Sequence, residues 1–158
     1  MRIVRTISML LLLCALTISS KAQSPTQNYV MSKDVLDVGG THAITTVTYY
    51  DGLGNPVETA TNGLGGTGKY AYTLLEHDAL GREKQSWLPG TQKDGCSFVA
   101  PSELSSSLIT FHKDRNPYSV NSYDALDRQV STLGAGESWF TAKKFVEQRY
   151  CSNVANSV

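Results

Sequence analysis

The sequence predicts a single, mostly antiparallel β domain with one short α-helix, preceded by an N-terminal signal peptide. Three observations lead to this prediction. An apolar run flanked by basic residues occupies the first 22 of 158 residues, an aspartate-led turn pattern recurs three times between strand-like segments, and only one segment has helical spacing. The length suits one domain rather than two.

Residues 1–22 have the order of a secretory signal peptide. Arg2 and Arg5 precede an apolar run over 7–18, and small residues follow up to Ala22. The run would form a helix of about 18 Å, which is shorter than a hydrocarbon core of about 30 Å. We predict Sec-type export to the periplasm, the cell surface or the extracellular space, with no transmembrane anchor after signal removal.

The charge balance argues against a nucleic-acid partner. The whole chain has 14 Lys plus Arg and 14 Asp plus Glu. Residues 1–22 hold three of the basic residues and no acidic residue, so residues 23–158 carry a formal net charge of −3. Nucleic-acid-binding domains usually carry a basic surface. The hydrophobic content of 41% is typical of a globular domain rather than a disordered one.

The first hairpin is predicted ahead of the repeated turns. Residues 28–36 and 41–50 are strand-like, and the segment 37–40 between them contains Asp and two Gly residues. This composition is typical of a turn.

The aspartate-led pattern is predicted to form β-hairpin turns near 50–55, 77–82 and 123–128. In each copy the Asp carboxylate is positioned to accept backbone N–H groups two residues further on. The strands expected around these turns are 44–50 with 57–61, 70–76 with 83–88, and 119–123 with 129–133. The aspartates are Asp51, Asp78 and Asp124.

The residue before the last position of each pattern is expected to adopt the left-handed conformation. Gly54 and Gly81 do so without steric cost, and closing the hairpin then involves a bulge. Asp127 takes this place in the third copy, and Asp tolerates the conformation less well than Gly. The polar residues Arg82 and Arg128 follow.

The helical segment and the last strand complete the predicted elements. Residues 101–110 have Leu104 and Leu108 four positions apart, with Pro and Glu in the first turn, so a short helix is expected there. Residues 144–150 alternate weakly and are predicted to form a final strand.

Two cysteines remain after signal removal, and two alternatives stay open for them. In an oxidising compartment Cys96 and Cys151 could form a disulfide, which would close a loop worth roughly 4 kcal/mol in the chain-entropy model. The other alternative is two separate thiols. Two Cys without clustered His do not form a zinc site.

No catalytic, cofactor or metal site is predicted. Residues 63–70 match a phosphate-loop pattern up to Lys69, but Tyr70 stands where Ser or Thr would hold Mg²⁺, so a flexible loop is expected. The aspartates match no calcium-loop signature. The aromatic residues are interpreted mainly as core, and Trp87 and Trp139 are the candidates for stacking on a bound sugar.

The ordered series of motifs after the signal resembles the N-terminal domain, of unknown function, of secreted bacterial RHS proteins, also called YD-repeat proteins. The resemblance covers roughly residues 27–155. The matching motifs are NYVMS at 28–32, YDGLG at 50–54, TGK at 67–69, HDALGRE at 77–83, SWLP at 86–89 and NPYS at 116–119.

The resemblance implies YD-type hairpins and a non-catalytic structural role, and it transfers no catalytic residue. Long members of the family wrap such hairpins into a shell around a variable C-terminal segment, which is often a toxin. We expect residues 23–158 to start or pack against such a shell in a toxin or cell-surface system. The expected partner is downstream YD-repeat β structure or another β-rich chain. The alternatives are an exported glycan- or protein-binding module and a small exported hydrolase.

Overall fold

The computed structural model describes residues 26–62 and 69–151, so the predicted signal peptide and the glycine-rich segment 63–68 lie outside the described residues. The strands are β1 (Asn28–Val35), β2 (Ala43–Tyr50), β3 (Pro56–Thr61), β4 (Tyr70–His77), β5 (Glu83–Trp87), β6 (Gly90–Lys93), β7 (Tyr118–Tyr123), β8 (Gln129–Leu133) and β9 (Phe145–Glu147). The helices are α1 (Pro101–His112) and α2 (Glu137–Ala142).

These strands form one antiparallel sheet, which confirms the predicted mainly β fold. Eight of the described strands lie side by side in the order β1-β2-β3-β4-β5-β7-β8-β9, and β6 pairs with β4 beside β5. Every predicted hairpin is present. Neither helix in the described ranges is long and apolar enough to span a bilayer.

One face of the sheet carries the core. The register places Val47 opposite Ala60 and Ala60 opposite Tyr72, so buried side chains form rows across β2, β3 and β4. Helix α1 packs on this face against β4 and β6, and Leu104 and Leu108 are fully buried. The core residues are Val47, Tyr49, Ala60, Tyr72, Leu74, Trp87, Cys96, Val99, Leu104 and Leu108.

The irregular segment 94–100 is held over this core by side chains of the strands. The Tyr49 hydroxyl donates to the carbonyl of Cys96 at 2.6 Å, and the Tyr72 hydroxyl contacts the carbonyls of Gly95 and Ser97 at 3.1 Å each. Buried backbone groups outside regular structure need partners of this kind. The tyrosines predicted as core therefore also anchor the segment that leads into α1.

Glu58 is a fully buried carboxyl on β3, beneath the start of α1. Both of its oxygens accept the Val99 backbone N–H, at 3.3 and 3.1 Å. Ala100, the N-cap residue of α1, makes no side-chain cap hydrogen bond, so Glu58 supplies an acceptor close to this helix terminus. Burial raises the pKa of Glu58 to about 7, and the Val99 hydrogen bond only partly offsets this.

Two elements were not predicted from the sequence, and one cysteine alternative is corrected. The strand β6 and the helix α2 lie in segments whose sequence predicts no regular element. No disulfide joins Cys96 to Cys151 in the described chain. Cys96 is buried beside the anchoring tyrosines, whereas Cys151 is exposed after β9, at the far end of the sheet.

The burial of Glu58 predicts that stability falls as pH rises from about 5 to about 8. Because its folded-state pKa is about 7 and its ordinary value is 4.5, the folded state retains a proton that the unfolded state loses. The stabilisation is fully present below the ordinary pKa and is lost through the folded one, on the order of 3 kcal/mol. Urea unfolding at a series of pH values measures it. Glu58→Gln should flatten the profile, and an unchanged slope would contradict the assignment.

Candidate functional site

The candidate site is the row of three aspartate-led turns at one end of the strands of the sheet. We call residues 51–55 turn 1, residues 78–82 turn 2 and residues 124–128 turn 3, and we number their positions 1 to 5. They join β2 to β3, β4 to β5 and β7 to β8. Because all these strands alternate in direction, the three turns meet at the same end of the sheet.

Each turn is closed by the carboxylate at position 1, as predicted. One carboxylate oxygen accepts the backbone N–H of position 3, at 2.8, 2.9 and 2.9 Å in turns 1 to 3. The same oxygen accepts the backbone N–H of position 5, at 2.8, 3.0 and 2.9 Å. The sheet register shifts beside each turn, which is the expected bulge.

The side chain at position 5 completes the turn, and the sequence interpretation missed this role. The second carboxylate oxygen accepts a hydrogen bond from Asn55 Nδ2 at 2.9 Å, from Arg82 Nε at 2.7 Å and from Arg128 Nε at 2.8 Å. The signal was present in the sequence as an acid followed four residues later by a side-chain donor.

Position 4 is left-handed in all three turns, as predicted. Gly54 has φ of 88°, Gly81 has φ of 78° and Asp127 has φ of 61°. Its N–H donates to the carbonyl of position 1 at 3.0 to 3.2 Å in each turn. The third turn therefore forms the same structure without glycine.

These hydrogen bonds favour the ionised aspartates. Donation from Asn55 lowers the pKa of Asp51, donation from Arg82 lowers that of Asp78, and the backbone and side chain of Arg128 lower that of Asp124. The carboxylates are thus engaged within their own turns. An open cleft of about 350 Å³ lies between turns 1 and 2, and Asp51 and Asp78 line it while Asp124 does not. No group of three or more His, Cys, Asp or Glu in the described part of the chain could hold a metal ion.

Neighbouring turns also contact one another, from position 5 of one turn to position 4 of the next. The amide of Asn55 lies against Gly81, where an added Cβ would be 3.6 Å from the amide nitrogen and oxygen. Arg82 Nη1 pairs with Asp127 Oδ1 at 2.7 Å. The ion pair gives a physical reason for Asp in a position that otherwise favours Gly.

The arginines at position 5 of turns 2 and 3 also contact aromatic rings on the next strand along the sheet or just after it. The guanidinium of Arg82 lies over the Tyr123 ring at 4.7 Å from its centroid, and that of Arg128 lies over Tyr150 at 4.6 Å. The hydroxyl of Tyr123 donates to the carbonyl of Glu83 at 2.7 Å, and that of Tyr150 donates to the carbonyl of Gln129 at 3.0 Å. The same arrangement of an aspartate, an arginine, a tyrosine and a backbone carbonyl therefore occurs twice along the row.

Comparison with family models assigns this chain to a family. The model for a domain of unknown function, DUF6443, matches residues 19–152. The chain belongs to this family. No curated protein and no solved structure shows significant similarity to it. The family description of the DUF6443 domain names no activity, so the function has to be argued from the geometry.

The two tryptophans of the DUF6443 domain have different environments. Trp87 is only 6% exposed, packs against the tilted ring of Tyr118 with centroids 4.6 Å apart, and donates from Nε1 to Glu76 at 3.2 Å. Its proposed role in sugar stacking is corrected, because the ring is part of the core. Trp139 on α2 packs against Gly134 and remains 46% exposed.

The pair formed by Arg82 and Asp127 predicts a favourable coupling free energy between turns 2 and 3. Arg82→Asn should lower the free energy of unfolding more in the parent chain than in the Asp127→Gly background, because the ion pair exists only in the former. Asn and Gly are the residues that turns 1 and 2 already use at these positions. Urea unfolding of the four proteins gives the coupling.

The coupling should vanish in about 1 M salt, where the Debye length is about 3 Å. Additive effects at low salt would show that the two turns do not communicate through this pair.

Proposed function

We propose that this DUF6443 domain is a non-catalytic structural segment of an exported RHS-type, YD-repeat protein, and that it starts or packs against a shell of β-hairpins. The observation that carries the proposal is the row of turns. Each turn is closed by its own carboxylate and contacts the next turn through position 5. Such a unit is suited to repetition, since the side chain at position 5 of one turn contacts position 4 of the next turn.

The open edges of the sheet support the same proposal. All eight residues of β1 are exposed, and β9 is exposed along its whole length. Val30 is 59% exposed and Val146 is 65% exposed. An exposed edge strand with unpaired backbone groups is a template for a further strand. A domain that packs against additional β structure would cover these groups.

The hydrogen bonding of the three turn aspartates supports a structural role rather than a catalytic one. Catalytic carboxyls usually combine a perturbed pKa with access to a substrate, whereas these aspartates have lowered pKa values because they accept hydrogen bonds inside their own turns. We assign no catalytic residue. The exposed ring of Trp139 keeps a surface glycan- or protein-binding module as the second candidate.

Export belongs to the same proposal. The full chain, expressed in a bacterium with a Sec pathway, should be recovered outside the cytoplasm. Its mass should be that of a chain that begins at Gln23, because the signal peptide would end at Ala22. Intact-mass measurement of the fractionated protein tests this. Arg2→Glu combined with Arg5→Glu is the control that should retain the uncleaved chain inside the cell. A cytoplasmic, uncleaved parent protein would refute export.

The exposed edges predict concentration-dependent association of the exported chain. Because lysines guard natural edge strands, the double variant Val30→Lys, Val146→Lys should be monomeric where the parent chain associates. Size-exclusion chromatography with light scattering over a range of concentrations measures the difference. A parent chain that is a heat-stable monomer at all concentrations would count against a sheet that needs further strands.

A further inference from the structure

The three turns share an exposed leucine at position 3. Leu53 is 88% exposed, Leu80 is 72% exposed and Leu126 is 71% exposed. Closure of each turn uses only the backbone N–H of this residue, so closure does not account for a leucine side chain in all three copies. A single exposed leucine is ordinary on a protein surface. A leucine repeated at the same end of the sheet forms an apolar ridge, and exposed apolar patches mark interaction surfaces.

The sheet fixes the spacing of this leucine ridge. Each turn joins two neighbouring strands, and the strand order places consecutive turns two strands apart. Neighbouring strands are about 4.8 Å apart, so equivalent positions of consecutive turns are separated by about 10 Å and the whole ridge is about 20 Å long. The contact of Asn55 with Gly81 and the ion pair of Arg82 with Asp127 show that the turns adjoin one another.

This spacing matches the repeat of an α-helix and not that of a β-strand. Seven residues of a helix rise about 10.5 Å and return to nearly the same face. Three residues of a strand rise about 10 Å, and because strand side chains alternate, successive contacts would then lie on opposite faces. A helix that lies along the row of turns, with an apolar residue at every seventh position, therefore contacts the leucine ridge with one face.

An open cleft beside the ridge has room for a larger apolar side chain. It is the cleft of about 350 Å³ between turns 1 and 2, and Leu53 and Ala79 of these turns line it. Further apolar lining comes from Val57, Leu75 and Pro101. Ligand sites are usually concave and mainly apolar, so one side chain of a helix on the ridge can be buried here.

The row of turns is also acidic. The three turns together contain four aspartates and two arginines, so their formal charge is −2. The hydrogen bonds of the turns keep the aspartates at position 1 ionised. Arg82 is only 25% exposed and is already paired with Asp78 and Asp127. Complementary charge on a partner would be basic.

We propose that the row of turns is a docking surface for an amphipathic α-helix of a partner protein, with an apolar residue at every seventh position and basic residues beside this stripe. The surface consists of the leucine ridge and the cleft between turns 1 and 2. The helix lies across the ends of the strands, whereas the proposed shell would pair with the edges β1 and β9. The two proposals therefore concern different surfaces of the domain.

Two synthetic helices of identical composition test the spacing. Both are Ala- and Lys-rich peptides of about 21 residues, a length at which an Ala-rich helix forms in water, and both contain three leucines. The heptad peptide has its leucines seven residues apart. The control peptide has them five residues apart, which places successive leucines about 140° apart around the helix axis. Fluorescence anisotropy of the labelled peptides titrated with the full chain gives both affinities.

The heptad peptide should bind at least about tenfold more tightly than the control peptide, since burial of even one leucine side chain is worth about a factor of ten. The double variant Leu80→Gln, Leu126→Gln should lose this preference and retain the fold, because the turns use only the backbone of these residues. Val38→Gln is the matched variant and should keep the preference. Val38 is fully exposed and lies between β1 and β2, at the opposite end of the sheet.

Equal affinity for the two peptides, or no binding of either, overturns the proposal. Loss of the preference in Val38→Gln overturns it as well, because exposed apolar surface in general would then decide binding. If the peptides are not distinguished and Leu80→Gln, Leu126→Gln instead abolishes self-association in light scattering, the ridge is covered by a second copy of the chain. If this variant instead abolishes binding to phosphatidylcholine vesicles, the ridge contacts lipid.

Failure of this proposal is distinguishable from failure of the proposed function. Leu80→Gln, Leu126→Gln leaves the edge strands β1 and β9 unchanged, so association through these edges should persist in the variant. The edge variant Val30→Lys, Val146→Lys leaves the three turns unchanged and should still bind the heptad peptide with the affinity of the parent chain. Loss of peptide binding in the edge variant would place the helix at a strand edge and overturn the docking surface proposed for the row of turns.

Discussion

The hydrogen bonds accepted by the aspartate at position 1 are the interaction on which the rest of the structure depends. One carboxylate ties together the backbone N–H groups of positions 3 and 5 and the side chain of position 5, so the chain reverses within five residues and the register of the two strands is fixed. Because the strands alternate in direction, the three turns that are closed in this way lie at the same end of the sheet. The contact between Arg82 and Asp127 needs this alignment.

The covered face of the sheet depends on a different set of polar groups. The segment 94–100 has no regular hydrogen-bond ladder of its own, so its backbone needs partners from the strands. Tyr49, Tyr72 and Glu58 supply them from three adjacent strands. A buried carboxyl is costly unless it is hydrogen-bonded, and the Val99 N–H offsets only part of that cost, which is why the pKa of Glu58 is raised. The turns and the buried carboxyl consequently respond to pH in opposite directions.

Most of the fold could be predicted from the sequence because its information is local. An Asp carboxylate that accepts the backbone N–H two residues further on, a glycine at the left-handed position and β-branched flanks all act within a few residues of chain. The missed elements depend on distant partners. Helix α2 has no side-chain cap of its own, and the N–H of Glu137 instead donates to Asp114, 23 residues earlier in the chain. Strand β6 has only four residues, and it pairs with β4, which begins 20 residues earlier in the chain, while α1 packs against both strands. The contacts of Asn55 with Gly81 and of Arg82 with Asp127 are likewise absent from the local sequence, because these residues become neighbours only when the hairpins lie side by side.

The departure of turn 3 from glycine at position 4 shows how a repeated motif can carry information beyond its own closure. Within an isolated turn, Asp127 is less favourable than Gly because of its φ of 61°. Beside turn 2, the same residue gains an ion pair with a guanidinium that is itself held in place by Asp78 and by the Tyr123 ring. The residue that fits best at position 4 of turn 3 is therefore decided by the neighbouring hairpin as well as by the turn itself.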